Sequence, residues 1–392
     1  MAERNVTERA LTERAVTELK SPLNSDAVLL TLLALIMSAG FIAMSSASLE
    51  YALERSGNAF YFTQRYGFHL ALALLLAITA YQVPVQQWQR MSGVLLLFGF
   101  LLLALVIVPG IGREVNGSRR WLVAGPLTLQ VSEFAKFFVV LYLAGYLVRR
   151  RTEVQEQFSG FLKPILLIIA VTCLLMLEPD FGATVVTGGT AFVMLFLGGA
   201  RLLQFLAVVA AGVAAAVAMV LVSPYRMKRL TAFADPWADQ FNSGYQLTQS
   251  LIAFGQGQWT GTGLGNSVQK LFYLPEAHTD FVFAIWAEET GFIGALLALL
   301  LFAALIGRVL WIGRRAELRG FLFHGFVCYG VATLISAQVF INVGVTSGLL
   351  PTKGLTLPLW SYGGSSLLAT LLMLAVVMRI HRELSEVTDE RR

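Results

Sequence analysis

Ten stretches of this chain are apolar enough and long enough to cross a bilayer, and that constraint precedes every other. They fall at roughly 27–47, 66–83, 92–110, 131–148, 163–178, 181–199, 202–222, 280–311, 320–343 and 360–380. Lipid offers no hydrogen bonds to exposed backbone, so stretches of this kind fold as helices. Over 392 residues, 56% are hydrophobic and only 14% charged, which excludes a soluble domain. The expected fold is an all-α polytopic membrane protein of about ten transmembrane helices, with a large outer loop between the seventh and eighth. The eighth stretch exceeds one crossing, so it is expected to tilt or to run partly outside the membrane.

The first span follows some 25 residues of mixed charge and is not followed by a small-residue cleavage site, so it reads as an uncleaved anchor. An even number of spans puts both termini on one side. That side holds the larger share of the 29 Lys and Arg, among them Arg149, Arg150, Arg151, Arg314, Arg315, Arg319, Arg379 and Arg382. The positive-inside rule makes it cytoplasmic. The expected division is a cytoplasmic tail over 1–25, a membrane domain over 26–382 with an outer loop at 223–279, and a short tail over 383–392. The first tail repeats Thr-Glu at 7, 12 and 17, a five-residue period that lines no helical face. Cys173 and Cys328 both fall in spans, so no disulfide framework is indicated. No P-loop occurs and no strand–turn–helix context supports a dinucleotide fold, so no nucleotide chemistry and no nucleic-acid partner are expected.

Polar residues gather toward the outer side. Arg113, Arg119, Arg120, Arg226, Lys228, Arg229, Lys270 and Lys353 stand where Lys and Arg are normally depleted. They suit lipid headgroups and nearby acids, or an anionic ligand carrying phosphate. Glu178-Pro179-Asp180 forms an acidic turn in which Asp180 either caps the next helix or supports a site. Glu133 and Lys136, three apart on one helical face, read as a mutual ion pair. The Gly-rich run at 255–266 follows no strand, so tight turns with close backbone approach fit it better than a nucleotide. Pro351 and Pro358 bracket Lys353, and Ser361 through Ser366 open the last span with a Gly pair that permits close packing or lines a cavity.

The most telling acid is Asp280, beside His278 at the mouth of the eighth span. An ionisable group at a membrane is costly unless paired or used, so it is a functional candidate. In a continuous helix Glu288 and Glu289 lie about 12 to 13 Å further along, rotated about 80° and about 180° from Asp280. The three acids are therefore not expected to share one point. Asp280 is read as reactive, Glu288 as support and Glu289 as structural.

Five ordered motifs carry a resemblance. They are Asn-Gly-Ser-Arg-Arg-Trp-Leu (116–122), Glu-Pro-Asp-Phe-Gly (178–182), Gly-Thr-Gly-Leu-Gly-Asn-Ser (261–267), Leu-Pro-Glu-Ala-His-Thr-Asp-Phe (274–281) and Gly-Leu-Thr-Leu-Pro-Leu-Trp-Ser-Tyr-Gly-Gly-Ser-Ser (354–366). Together they resemble the SEDS family (shape, elongation, division and sporulation) of membrane-embedded peptidoglycan polymerases, over essentially all ten spans. The stretches 44–48, 57–62 and 354–359 are more similar to its division member than to its elongation member. Trp286 and Trp360 stand where smaller apolar residues are expected.

The resemblance implies a glycosyltransferase that polymerises lipid II at the outer face of the bacterial cytoplasmic membrane, at the division septum, with Asp280 as its essential residue. It also implies a class B penicillin-binding protein of the FtsI type and the FtsQ, FtsL and FtsB division complex as partners. In that reading Asp280 is the general base of an inverting transfer. Arg119, Arg120 and Lys353 meet the diphosphate, with a divalent cation (Mg or Mn) as an optional helper. His278, Glu178, Asp180, Ser361 and Ser365 complete the substrate-binding set, and Glu288, Glu133 and Lys136 support it. Two other classes remain open: a flippase for lipid II, kept alive by the deeper charges, and a scaffold for the cross-linking partner.

Overall fold

The computed structural model describes residues 26–115, 118–125, 127–351 and 354–389; the N-terminal tail and Lys353 lie outside them. Ten long helices follow the ten apolar stretches. They are α1 (Ala27–Ser56), α2 (Tyr61–Gln82), α3 (Val85–Ile107), α4 (Val131–Arg149), α6 (Phe158–Leu177), α7 (Phe181–Leu197), α8 (Leu202–Val222), α11 (Val282–Leu318), α12 (Leu322–Thr346) and α13 (Gly364–Asp389). Short helices α5 (Arg151–Glu156), α9 (Pro224–Ala234) and α10 (Tyr245–Gly257) fill connections. Among the described residues, eight helices have the length and composition to cross a membrane, and α7 is a shorter apolar helix.

Burial sorts these helices into a centre and a rim. α4 presents buried residues on every side, and α12 and α13 are largely buried beside it. Among its described side chains α8 buries none, with Leu203 and Val222 more than four-fifths exposed. A helix that is apolar all round yet unburied is matched to hydrocarbon, not to a protein core. At the other end of the bundle Asp26 caps α1 through the Leu29 amide (3.1 Å) and accepts a two-pronged bond from Arg308 of α11 (2.7 and 2.9 Å).

Three features depart from the expected architecture. The segment at 112–130 forms a small antiparallel sheet, β1 (Gly112–Val115), β2 (Ser118–Ala124) and β3 (Leu127–Gln130), in the order β1-β2-β3. α13 runs on as one helix beyond the apolar stretch that ends at 380, with Arg379–Glu383 and Arg382–Glu386, both at 2.8 Å, paired along its surface. The overlong eighth span is explained by a break: Gly291 has φ +69° and ψ −169° inside α11. α11 also begins at Val282, so Asp280 lies in the preceding turn and the continuous-helix angles to Glu288 and Glu289 do not apply.

Close packing concentrates at Trp360, which is wholly buried against Phe283, Trp286 and Phe302. The larger residue is accommodated because α1 supplies Gly40: a Cβ there would sit 2.6 Å from Trp360 Cδ1 and 2.7 Å from the Leu359 carbonyl. Tyr66 of α2 donates to that same carbonyl (2.7 Å), so backbone movement would break a second contact. Gly40→Ala is therefore expected to lower stability by about 1–3 kcal/mol, the usual range for overpacking. A thermal unfolding midpoint equal to that of the parent would count against this packing.

Candidate active site

The outer ends of α1, α2, α11, α12 and α13 converge on the turn at 276–281. This turn is wound by amides of Thr279 and Phe281 donating to the Glu276 carbonyl, both at 3.2 Å. Asp280 is half-buried there. Its main-chain carbonyl accepts from the Asn342 side-chain amide (2.8 Å), which also donates to the Leu355 carbonyl (2.7 Å). Asn342 thus ties the Asp280 turn to the segment before α13. The carboxylate of Asp280 lies against Gly354, where a Cβ would come within 2.6 Å of Oδ2. Only glycine leaves the carboxylate that position.

His278 packs its ring among Tyr51, Phe62 and Tyr362, at centroid distances of 5.1, 4.9 and 5.8 Å. Its carbonyl accepts the Tyr362 amide (2.9 Å). Burial lowers the imidazole pKa below its ordinary 6.5, so at neutral pH the ring is uncharged and serves as a wall. Beside this cluster stand two outer cations: Arg55 donates to Tyr51 Oη (2.7 Å) and Arg65 to Tyr61 Oη (2.9 Å).

Other residues singled out in the sequence lie in a belt of internal contacts. Arg119 pairs with Glu114 across the hairpin (3.1 Å). Arg120 donates to the carbonyls of Glu178 (3.0 Å) and Pro179 (2.6 Å), fastening β2 to the acidic turn. Asp180 caps α7 through the Ala183 amide (3.1 Å) and accepts from Ser132 (3.2 Å). Ser365 accepts the Gln130 amide (2.8 Å), and Ser361 accepts the Leu357 amide (2.8 Å). Glu133 and Lys136 pair at 2.8 Å, both buried. Glu288 and Glu289 are fully buried and turned toward the loop at 265–270. Among the described residues no three His, Cys, Asp or Glu side chains converge to hold a metal, so no step is assigned to one.

Glu178 is wholly buried, and among the described residues neither carboxyl oxygen has a hydrogen-bond partner. Burial, reinforced by Asp180 and opposed by Arg120, pushes its pKa from 4.5 up to about 8. The folded protein keeps a proton that the unfolded chain releases, so this group's stabilisation is full below about pH 4.5 and is lost as pH rises through about 8. Glu178→Gln removes the titration. Its unfolding midpoint should match the parent's below about pH 4.5, exceed it increasingly as pH rises, and hold that excess above about pH 8. A constant difference across that range would refute the assignment.

Asn342 and Tyr51 lay outside the motifs read from the sequence, and Gly354 and Phe62 entered only as members of longer motifs, with no role of their own. Asn342 carried a usable signal, one of two amides, with Gln338, a turn apart late in an apolar helix. The other three acquire meaning only through contacts with residues far away in the chain.

Comparison with known proteins shows the family to which a chain of this fold belongs. The sequence profile of the FtsW/RodA/SpoVE family, described as cell cycle proteins, matches residues 26–386. The chain is 52% identical over 348 residues to a probable peptidoglycan glycosyltransferase FtsW of Coxiella burnetii, covering 89% of this chain and 94% of that one. It is also 52% identical over 348 residues to a protein of the same description from Pseudomonas fluorescens, covering 89% and 86%. Among solved structures it resembles a chain from a peptidoglycan synthase complex that coordinates polymerization and crosslinking. That match has a TM-score of 0.74 and 32% identity, over 92% of this chain and 99% of that one. It resembles the rod shape determining protein RodA of Thermus thermophilus as well, with a TM-score of 0.68 and 31% identity, over 92% and 98%.

Proposed function

The chain belongs to the FtsW/RodA/SpoVE family of cell cycle proteins, and on that premise we propose that it polymerises lipid II into glycan strands during cell division. It is a multi-pass membrane protein and a peptidoglycan glycosyltransferase. The observation that carries the mechanism is Asp280, half-buried on a turn tied by Asn342 and set against Gly354 at the convergence of five helix ends.

Asp280 takes the proton from a sugar hydroxyl of the acceptor as that oxygen attacks the anomeric carbon of the donor. The new C–O bond forms as the bond to the polyprenyl diphosphate breaks, and the electron pair leaves with the diphosphate. One carboxylate suffices for inversion, unlike the paired carboxylates of glycosidases. Cations at the outer mouth stabilise the departing charge. Arg55 and Arg65 join Arg119, Arg120 and Lys353 as candidates for that role, and Lys353 is a candidate from sequence alone. A divalent cation carried in on the diphosphate would serve the same purpose.

A penicillin-binding partner of class B supplies cross-linking in this reading, with FtsQ, FtsL and FtsB in the division complex and the septum as the place of work. The likeness to a chain of a synthase complex supports the first of these. The deep charges that kept the flippase reading open are engaged with one another, Glu133 with Lys136 and Glu289 with Lys270, and a flipping assay in vesicles without polymerisation separates the two readings. The test is polymerisation of lipid II by the purified chain with its partner, read as glycan on a gel. No product, with both proteins folded and associated, would reject the proposal.

A further inference from the structure

The broken helix α11 holds the chain that leads into it. Glu288 accepts the Ser267 hydroxyl and the amides of Val268 (2.8 Å) and Gln269 (3.4 Å). Glu289 accepts from the Lys270 ammonium (2.9 Å), from Ser46 of α1 (2.6 Å) and from the Ser267 amide (3.4 Å). Lys270 reaches Ser46 (3.0 Å) and the Gly265 carbonyl (2.6 Å) as well. Every side chain in this group is buried: Glu288, Glu289, Lys270, Ser267 and Ser46 are each less than a tenth exposed.

A second fastening lies next to it, made by the Gly-rich run. Amides of Thr262 and Gly263 donate to the carbonyls of Glu288 and Glu289, both at 3.0 Å. Across the break, the amides of Phe292 and Ile293 donate to the carbonyls of Gln258 (2.8 Å) and Trp259 (3.2 Å). Backbone groups released by the break at Gly291 are therefore taken up by the loop. The approach is close: a Cβ on Gly261 would meet the Glu289 carbonyl at 2.2 Å.

The consequence is topological. Ser267 and Glu288 are 21 residues apart and bonded, so the chain between them is a closed ring. One arm is the string of turns through Leu274 and His278, and the other is the first part of α11. Asp280 sits where the two arms meet, away from the fastening. A buried ionic cluster adds less stability than apolar residues of the same size would, but it admits one register. Here the register decides where the Asp280 turn stands.

We propose that Glu288, with the Lys270–Glu289 pair, is a positioning clasp that sets the Asp280 carboxylate relative to the substrate. It rests on Asp280 being the base, and it gives Glu288 a role that needs no contact with substrate. A misplacement of about 1 Å at a reacting group costs about 10²-fold in rate.

The experiment compares Glu288→Ala, Glu288→Gln and the uncharged pair Lys270→Met with Glu289→Gln, in the full chain with its partner and lipid II as substrate. Asp280→Asn serves as the reference. Glu288→Ala should lower kcat about 10²-fold with KM within about 2-fold, and should displace the acid limb of the pH profile of kcat. Glu288→Gln, which keeps an acceptor for the Val268 amide, should recover most of the rate. If Glu288→Ala does not fold, the double variant takes its place, with the same expected split of kcat from KM. Parent-like kcat overturns the clasp, and so does a loss proportional to unfolded protein with an unmoved pH profile. An inactive Asp280→Asn beside a fully active Glu288→Ala would remove the clasp alone. An active Asp280→Asn would remove the base and the clasp with it.

Discussion

Asp280→Asn yields a protein that folds, inserts and still binds lipid II, yet polymerises about 10²- to 10⁴-fold more slowly, the range a positioned general base contributes. The amide has the size and shape of the carboxylate, and the Asn342 bond reaches the main-chain carbonyl, so the turn keeps its anchor. What is lost is the site that receives the hydroxyl proton. Asp280→Glu is the sharper variant, because it keeps the charge and changes only its place. Its added methylene moves the carboxylate by more than the roughly 0.5 Å a catalytic constellation tolerates. Gly354 already lies against Oδ2, so the longer side chain has nowhere to extend on that side. Both variants should be assayed for glycan product and for lipid II binding. Normal polymerisation by Asp280→Asn would end the general-base mechanism, while failure to bind lipid II would assign Asp280 to binding.

Gly354→Ala probes the same contact from the opposite side. Its methyl would come within 2.6 Å of the Asp280 carboxylate and push it without changing its chemistry. The expected loss is close to that of Asp280→Glu, so the two together separate position from charge.

The helices were legible in the sequence because lipid imposes one solution on a long apolar run: a helix covers each of the ten stretches, and among the described residues eight are long and apolar enough to cross a membrane. Asp280 drew attention in the sequence for a related reason, as a costly acid in an apolar setting, and the role given to it here is a proposal. The helix break at Gly291 was not, since an isolated glycine in an apolar run is ordinary and its partners lie about thirty residues earlier, in the loop at 258–263. Nor was the use of Arg120, whose guanidinium meets two main-chain carbonyls. Carbonyls leave no mark in a sequence, so nothing in the motif tells that Arg120 is also held between them. The Glu133–Lys136 pair was legible because three-residue spacing on one helix needs no tertiary knowledge.

That pair yields the largest expected change in stability. Lys136 and Glu133 are buried at 2.8 Å, near the start of the most enclosed helix. Lys136→Met keeps the length and apolar stem of the side chain but leaves Glu133 as a buried charge without its cation. Breaking a buried pair from one side costs about 3–5 kcal/mol. A protein of ordinary stability, about 5–15 kcal/mol, would lose a large part of its margin. Glu133→Gln alone strands the ammonium and should cost a similar amount. The double variant, Glu133→Gln with Lys136→Met, strands no charge and should recover most of the loss, because isolated ion pairs add little over well-packed neutral residues. Unfolding midpoints of the four proteins in one detergent give the coupling directly. Single-variant losses that simply add in the double would mean that the two residues are stabilised by other neighbours and that their bond is incidental.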